Sequence, residues 1–169
     1  MITLILGGNK SGKSDFALDV LSKAEQPGVF IATGKAKDFA FREQIAKHRR
    51  ERSATLEVIE VSEDLPQALR QAKLHFPSVL VDSLDYWIFA CREAGCADEK
   101  TQELMDVLTD WDSTNLILVS CETGLGVLPA SGEVRAFVRS LGALNKSIAE
   151  QADQAFLVAA GLPLTLKRG

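Results

Sequence analysis

Short apolar, β-branched runs alternate with helical patterns along this chain, and a complete phosphate-loop motif directly follows the first run. The chemistry-bearing residues then recur where successive runs end. Together these observations predict an α/β fold with a mostly parallel sheet, helices on both faces and right-handed crossovers. A C-terminal antiparallel hairpin closes it. At 169 residues the chain fits a single domain, residues 1–169, and no internal repeat, linker or low-complexity stretch divides it.

The elements follow in order. Ile2-Thr3-Leu4-Ile5-Leu6 reads as a buried strand. Ser14 to Ala24 reads as a helix, with Phe16, Ala17, Val20, Leu21 and Ala24 on one face. Val29 to Ala32 is a second strand, and residues 38–52 read as a helix with Phe41, Ile45, His48 and Arg52 in line. Leu56 to Val61 alternates apolar and acidic letters, which suits a half-exposed strand. Asp64 to Lys73 is helical, and Val79-Leu80-Val81-Asp82 is a buried strand ending in an acid. Helices at Ser83–Cys91 and Glu99–Trp111 flank a looser 93–98, before a buried strand at Leu116–Cys121 and a glycine-rich loop from Glu122 to Pro129. Val134, Phe137, Val138, Leu141, Leu144, Ile148 and Ala152 mark the longest helix. Strands at Ala155–Ala160 and Pro163–Lys167, joined by Gly161-Leu162, end the chain.

Composition narrows the function classes. Hydrophobic content of 46% and charged content of 25% are those of a soluble globular protein. With no apolar run near the roughly 20 residues of a membrane span and no secretory leader, a cytoplasmic location is expected. Cys91, Cys96 and Cys121 form no CxxC pair, which argues against a disulfide framework or structural zinc. A net charge of −4 argues against a general nucleic-acid partner. Residues 35–52, however, carry seven Lys and Arg against three acids, leaving the rest of the chain at −8. Such a basic segment suits a polyanionic ligand, or a solvated helix face.

The chemistry centres on Gly7-Gly8-Asn9-Lys10-Ser11-Gly12-Lys13-Ser14, a full G-x-x-x-x-G-K-[ST] motif between a strand and a helix. The glycines permit the tight wrap, backbone N–H groups converge on phosphate, Lys13 reaches the β- and γ-phosphate oxygens, and the Ser14 hydroxyl ligates Mg²⁺. Asp82 ends its strand as a Walker B acid does, placed to hold Mg²⁺ beside Ser14; the structural alternative is a cap on the following helix. Glu122 ends the next strand on the same edge. His48, one of two histidines, stands among Lys47, Arg49, Arg50 and Arg52. Those cations favour the neutral imidazole, the form able to attack phosphorus, and would bind the phosphate attacked. A packing histidine is the plainer reading of its periodicity. His75 has no such surroundings and reads as structural.

The chain resembles the bifunctional adenosylcobinamide kinase / adenosylcobinamide-phosphate guanylyltransferases nearly end to end. The resemblance is carried by Gly7 through Ser14, by Ile31-Ala32-Thr33, by Ile45-Ala46-Lys47-His48-Arg49 with Arg52, and by Val81-Asp82-Ser83-Leu84 with Trp87. Leu118-Val119-Ser120 with Glu122, Gly124, Gly126 and Pro129, then Arg135, Phe137, Gly142 and Asn145, extend it, and Ala159 to Lys167 close it. It implies a corrinoid substrate, ATP and GTP as nucleotide substrates with Mg²⁺, and a guanylylated histidine at His48. It further implies nucleotide contacts at Thr33, Arg49, Arg52, Glu60 and Asp82, and a homo-oligomer, a trimer. The chain departs from the family pattern at Lys10, Leu56, Asp85, Ala90, Cys121, Thr123 and Ala130-Ser131. Two other readings fit the same residues: a kinase for another small alcohol with His48 as a phosphate contact, and a nucleotide-binding subunit without catalysis.

Overall fold

Residues of the first strand, β1 (Ile2–Gly7), are buried on both sides, and their alternation shows why. Ile2, Leu4 and Leu6 join one apolar cluster while Ile5 joins another across the sheet. The same period of two recurs in β2 (Gly28–Ala32), where Val29 and Ile31 face one way and Phe30 and Ala32 the other. It recurs again in β4 (Ser78–Asp82) and β5 (Asn115–Cys121). Strands buried on both faces are those of a parallel sheet covered by helices.

The computed structural model describes residues 1–33, 56–127 and 129–169. Its seven strands add β3 (Glu57–Glu60), β6 (Gln154–Ala159) and β7 (Leu162–Lys167), in the order β3-β2-β4-β5-β1-β6-β7. All pairings are parallel except β6 with β7. Helix α1 (Lys13–Lys23) covers one face through Ala17, Leu18 and Leu21. The other face carries α2 (Leu65–His75), α3 (Leu84–Glu93), α4 (Ala97–Thr109) and α5 (Gly132–Gln151). Trp87 of α3 is fully buried there, its indole N–H donating to the Glu63 carbonyl at 2.9 Å. Among the described residues no helix is long and apolar enough to cross a membrane.

Most boundaries shift by one or two residues from the sequence reading, and two of the shifts have a visible local cause. The break between α3 and α4 is narrower, because Gly95 at φ 74 and the Cys96 N–H bonded to the Cys91 carbonyl reverse the chain in three residues. Asp98 and Glu99 therefore sit in the first turn of α4, where acids favour a helix. The terminal hairpin turns at Ala160-Gly161 instead of Gly161-Leu162, and both residues have positive φ (51° and 79°). A two-residue turn of that hand matches the twist of the paired strands, so Leu162 belongs to β7. The helix read over 38–52 lies outside the described residues.

Candidate active site at the carboxyl edge

Gly7, Ala32, Asp82 and Cys121 end four adjacent parallel strands, with Ala32 opposite Asp82 and Gly7 opposite Cys121. Ligands of such sheets bind at this edge. The phosphate loop leaves it from β1. A Cβ on Gly7 would collide with Ser11 Oγ and stand 2.7 Å from the Val158 carbonyl oxygen, so the loop closes over a residue that has to lack a side chain. The Ser11 N–H donates to the Gly8 carbonyl at 3.2 Å, while Lys10 (φ 57) and Gly12 (φ 92) take left-handed conformations. Lys13 Nζ folds back onto the Gly8 carbonyl at 3.2 Å. Helix α1 starts at Lys13 from a glycine N-cap that offers no side-chain acceptor, an arrangement suited to an anion at the helix start. Ser11 Oγ is buried with no hydrogen-bond partner among the described residues.

Asp82 lies behind this loop, 8% exposed. Its Oδ2 is buried and has no hydrogen-bond partner among the described residues, and the nearby Ser14 hydroxyl favours the charged carboxylate. Burial pushes its pKa from the ordinary 3.8 up to about 6; Ser14 and Lys13 work against that, and Asp85 adds to it. The N-cap of α3 is Ser83, so Asp82 is engaged with the phosphate loop and not as a helix cap. A buried carboxylate beside the Ser14 hydroxyl, with one oxygen unpartnered among the described residues, is a donor set a hard divalent cation takes, and the pair Ser14 and Asp82 fits Mg²⁺. Among the described residues no cluster of three or more His, Cys, Asp or Glu offers a metal site independent of a nucleotide.

Around this centre the strand ends are locked by polar contacts. Thr33 is 2% exposed; its hydroxyl donates to the Ser83 carbonyl at 2.5 Å and accepts the Ser83 N–H at 2.9 Å. What the structure gives Thr33 is thus a brace on the residue following Asp82. Asp85 Oδ1 accepts the Cys121 N–H at 3.2 Å, and burial, then the Asp85 charge, raise the Cys121 thiol above its usual range against the pull of Lys13. Asn145 of α5, buried, accepts the Ser120 hydroxyl at 2.6 Å and donates to the Cys121 carbonyl at 3.1 Å. The Glu122 N–H continues the ladder to the Gly7 carbonyl, while its carboxylate accepts the Gly124 N–H at 2.8 Å. Arg135 holds the far limb of that loop through the Pro129 and Ala130 carbonyls at 2.8 and 2.6 Å.

Gly7 through Ser14 and Asp82 are therefore brought together as the sequence predicts. Glu60 ends the edge strand β3, in register with Ala32 and exposed. His48, Arg49 and Arg52 lie outside the described residues. Sequence reasoning gave Asp85 and the Ser120–Asn145 pair no part in the site. Their signals were a second acid three residues after Asp82, a serine inside an apolar strand, and an asparagine on the apolar face of a helix.

A model of the family described as "Cobinamide kinase / cobinamide phosphate guanyltransferase" matches residues 3–166. The chain is 35% identical over 170 residues to CobP, a bifunctional adenosylcobalamin biosynthesis protein of Pseudomonas aeruginosa, covering 99% of this chain and 98% of that protein. It is 24% identical to the Salmonella typhimurium protein CobU of the same description, over 99% and 100% of the two chains. Among solved structures it resembles a KaiC-like protein of Pyrococcus horikoshii at TM-score 0.54 and 18% identity, covering 92% of this chain and 69% of that one. It also resembles a type III secretion ATPase of pathogenic bacteria at TM-score 0.60 and 12% identity, covering 97% and 56%. At those identities the likeness is one of fold.

Proposed function

The chain belongs to the cobinamide kinase / cobinamide phosphate guanyltransferase family, and on that premise we propose that it carries out both reactions through one phosphate loop and His48. It is a nucleotide-dependent transferase of cobalamin biosynthesis. In the kinase reaction the terminal hydroxyl oxygen of adenosylcobinamide bonds to the γ-phosphorus of a nucleoside triphosphate. The bond to the β-phosphate oxygen breaks, the diphosphate leaves and the hydroxyl proton passes to solvent. Lys13 and the first-turn N–H groups of α1 stabilise the charge on the transferring group. Mg²⁺, held by Ser14 and Asp82, would neutralise charge on the β- and γ-phosphates.

In the guanylyl transfer, a neutral His48 nitrogen bonds to the α-phosphorus of GTP and pyrophosphate leaves. A phosphate oxygen of adenosylcobinamide phosphate then displaces the histidine, giving adenosylcobinamide-GDP and free imidazole. Dividing one displacement between two anions into two steps is what covalent catalysis contributes here. Arg49, Arg52, Thr33 and Glu60 complete the nucleotide environment in this reading.

The observation that carries the proposal is the buried Asp82 carboxylate, beside Ser14 and with Oδ2 unpartnered among the described residues, behind a complete phosphate loop. The test uses α-labelled and γ-labelled GTP with adenosylcobinamide. Wild-type protein should acquire an acid-labile, base-stable α-label, and His48→Asn should lose it while retaining γ-transfer. Label persisting in His48→Asn removes His48 as nucleophile; γ-transfer without any α-label in the wild type leaves a kinase alone.

A further inference from the structure

The turn of the β6–β7 hairpin presses on the phosphate loop at several points. The Gly161 N–H donates to the Ser11 carbonyl at 2.8 Å, across 150 residues of chain. A Cβ on Gly12 would stand 3.0 Å from Gly161 Cα, and one on Gly7 would stand 2.7 Å from the Val158 carbonyl oxygen. Below the turn, Phe156 of β6 meets Phe16 of α1 edge-on, ring centres 5.4 Å apart. Lys167 at the end of β7 caps α5 through the Ala149 and Glu150 carbonyls at 3.1 and 3.0 Å. The hairpin is thus fixed at its far end and docked against the loop at its near end.

Peptide geometry gives this contact a consequence. In a planar trans peptide, the carbonyl of one residue and the N–H of the next point in opposite directions. With the Ser11 carbonyl held by the hairpin, the Gly12 N–H is aimed away from it, and there it meets no acceptor among the described residues. An unpartnered loop N–H beside Lys13 at a helix start is a phosphate donor.

We propose that Gly161 is a positioning residue of the phosphate site, which takes the Ser11 carbonyl so that the Gly12 N–H faces the triphosphate. The inference rests on the reading of this loop as the triphosphate site. A hairpin that merely closed the sheet would not need its turn against the loop, nor glycine on both sides of the contact.

Gly161→Ala tests this with little steric disturbance, since a Cβ there meets no heavy atom within 4 Å and the cost lies in φ 79 alone. Alanine keeps the N–H but draws residue 161 away from φ 79 and turns that N–H off the Ser11 carbonyl, so binding of GTP, ATP and inorganic tripolyphosphate should each weaken about tenfold, the loss of one hydrogen bond to an anion. KM for nucleotide should rise while kcat stays within about twofold. Gly161→Asn, which tolerates the left-handed conformation, should recover most of the affinity. Wild-type affinity in a folded Gly161→Ala protein overturns the proposal, as does a lowered melting temperature with unchanged KM. A second readout needs no variant: adding tripolyphosphate to the wild-type chain should shift the Gly12 amide resonance and slow its hydrogen exchange. Tripolyphosphate that binds and leaves that amide untouched overturns the positioning role alone. Failure of the wild type to bind GTP, ATP or tripolyphosphate overturns the reading of the site itself.

Discussion

Lys13 and Asp82 divide the site's charge between a mobile cation and a fixed anion, and their substitution has different consequences. Lys13 is half-exposed and makes one bond to the Gly8 carbonyl, so the core does not depend on it. Lys13→Ala should leave the circular dichroism spectrum unchanged and lower kcat by about a thousandfold, the scale of one lost electrostatic contact to developing charge. Steady-state rates with ATP and GTP check this. Asp82 is held against its own preference. Its folded pKa of about 6 lies above the ordinary 3.8, so the folded state binds a proton the unfolded chain has released. Its contribution to stability is therefore greatest below about pH 4, declines through the window to 6, and above it the buried carboxylate costs roughly 2–3 kcal/mol. Asp82→Asn should raise the melting temperature of ligand-free, metal-free protein at pH 8 by about 5 °C, with the two proteins converging near pH 4. The same variant should lose its dependence on Mg²⁺. Equal melting temperatures at pH 8 would contradict the assignment. The phosphate loop and the Asp82 beside it could be placed from the sequence because their pattern is local: eight contiguous letters, and one acid closing an apolar run.

At the scale of elements, the contacts that hold the site are long-range and carry little sequence signal. Asn145 ties α5 to the end of β5 by two hydrogen bonds, in a place where Ser120 is fully buried. Asn145→Ala leaves a buried hydroxyl and a strand carbonyl without partners, at a cost of roughly 2–3 kcal/mol. For a domain of this size the melting temperature should fall by about 4–10 °C. Asn145→Asp, which keeps the acceptor for Ser120, should fall less; thermal unfolding followed by circular dichroism decides. The strands and helices themselves were readable because β1, β4 and β5 are dominated by apolar, β-branched letters and α5 keeps its apolar spacing over five turns. The brace of Thr33 on Ser83, the Asp85–Cys121 contact and the Gly161–Ser11 bond span 50, 36 and 150 residues, and no window of sequence contains them. The Ala160-Gly161 turn was misplaced by one residue for a related reason: alanine at positive φ is disfavoured locally and is imposed by the strands on either side.

Along the whole sequence, charge is segregated. The basic segment 35–52 begins two positions after Thr33, in a chain otherwise at −8. Affinity for GTP should therefore fall several-fold as NaCl rises from about 0.05 to about 0.5 M, because screening shortens the reach of those charges. Guanosine, lacking phosphate, should bind with little change over the same titration. The strand order has another consequence, for how the protein comes into being. β1 lies between β5 and β6, the latter spanning Gln154–Ala159, and the loop it carries is touched by a turn still later in the chain. During synthesis β1 must wait, one edge bare, until residues 154–159 have left the ribosome. Such non-local pairing makes for slow assembly and leaves an apolar strand open to wrong partners in the interval. The phosphate loop is braced only once the β6–β7 turn has docked against it, some 150 residues after the loop itself is made.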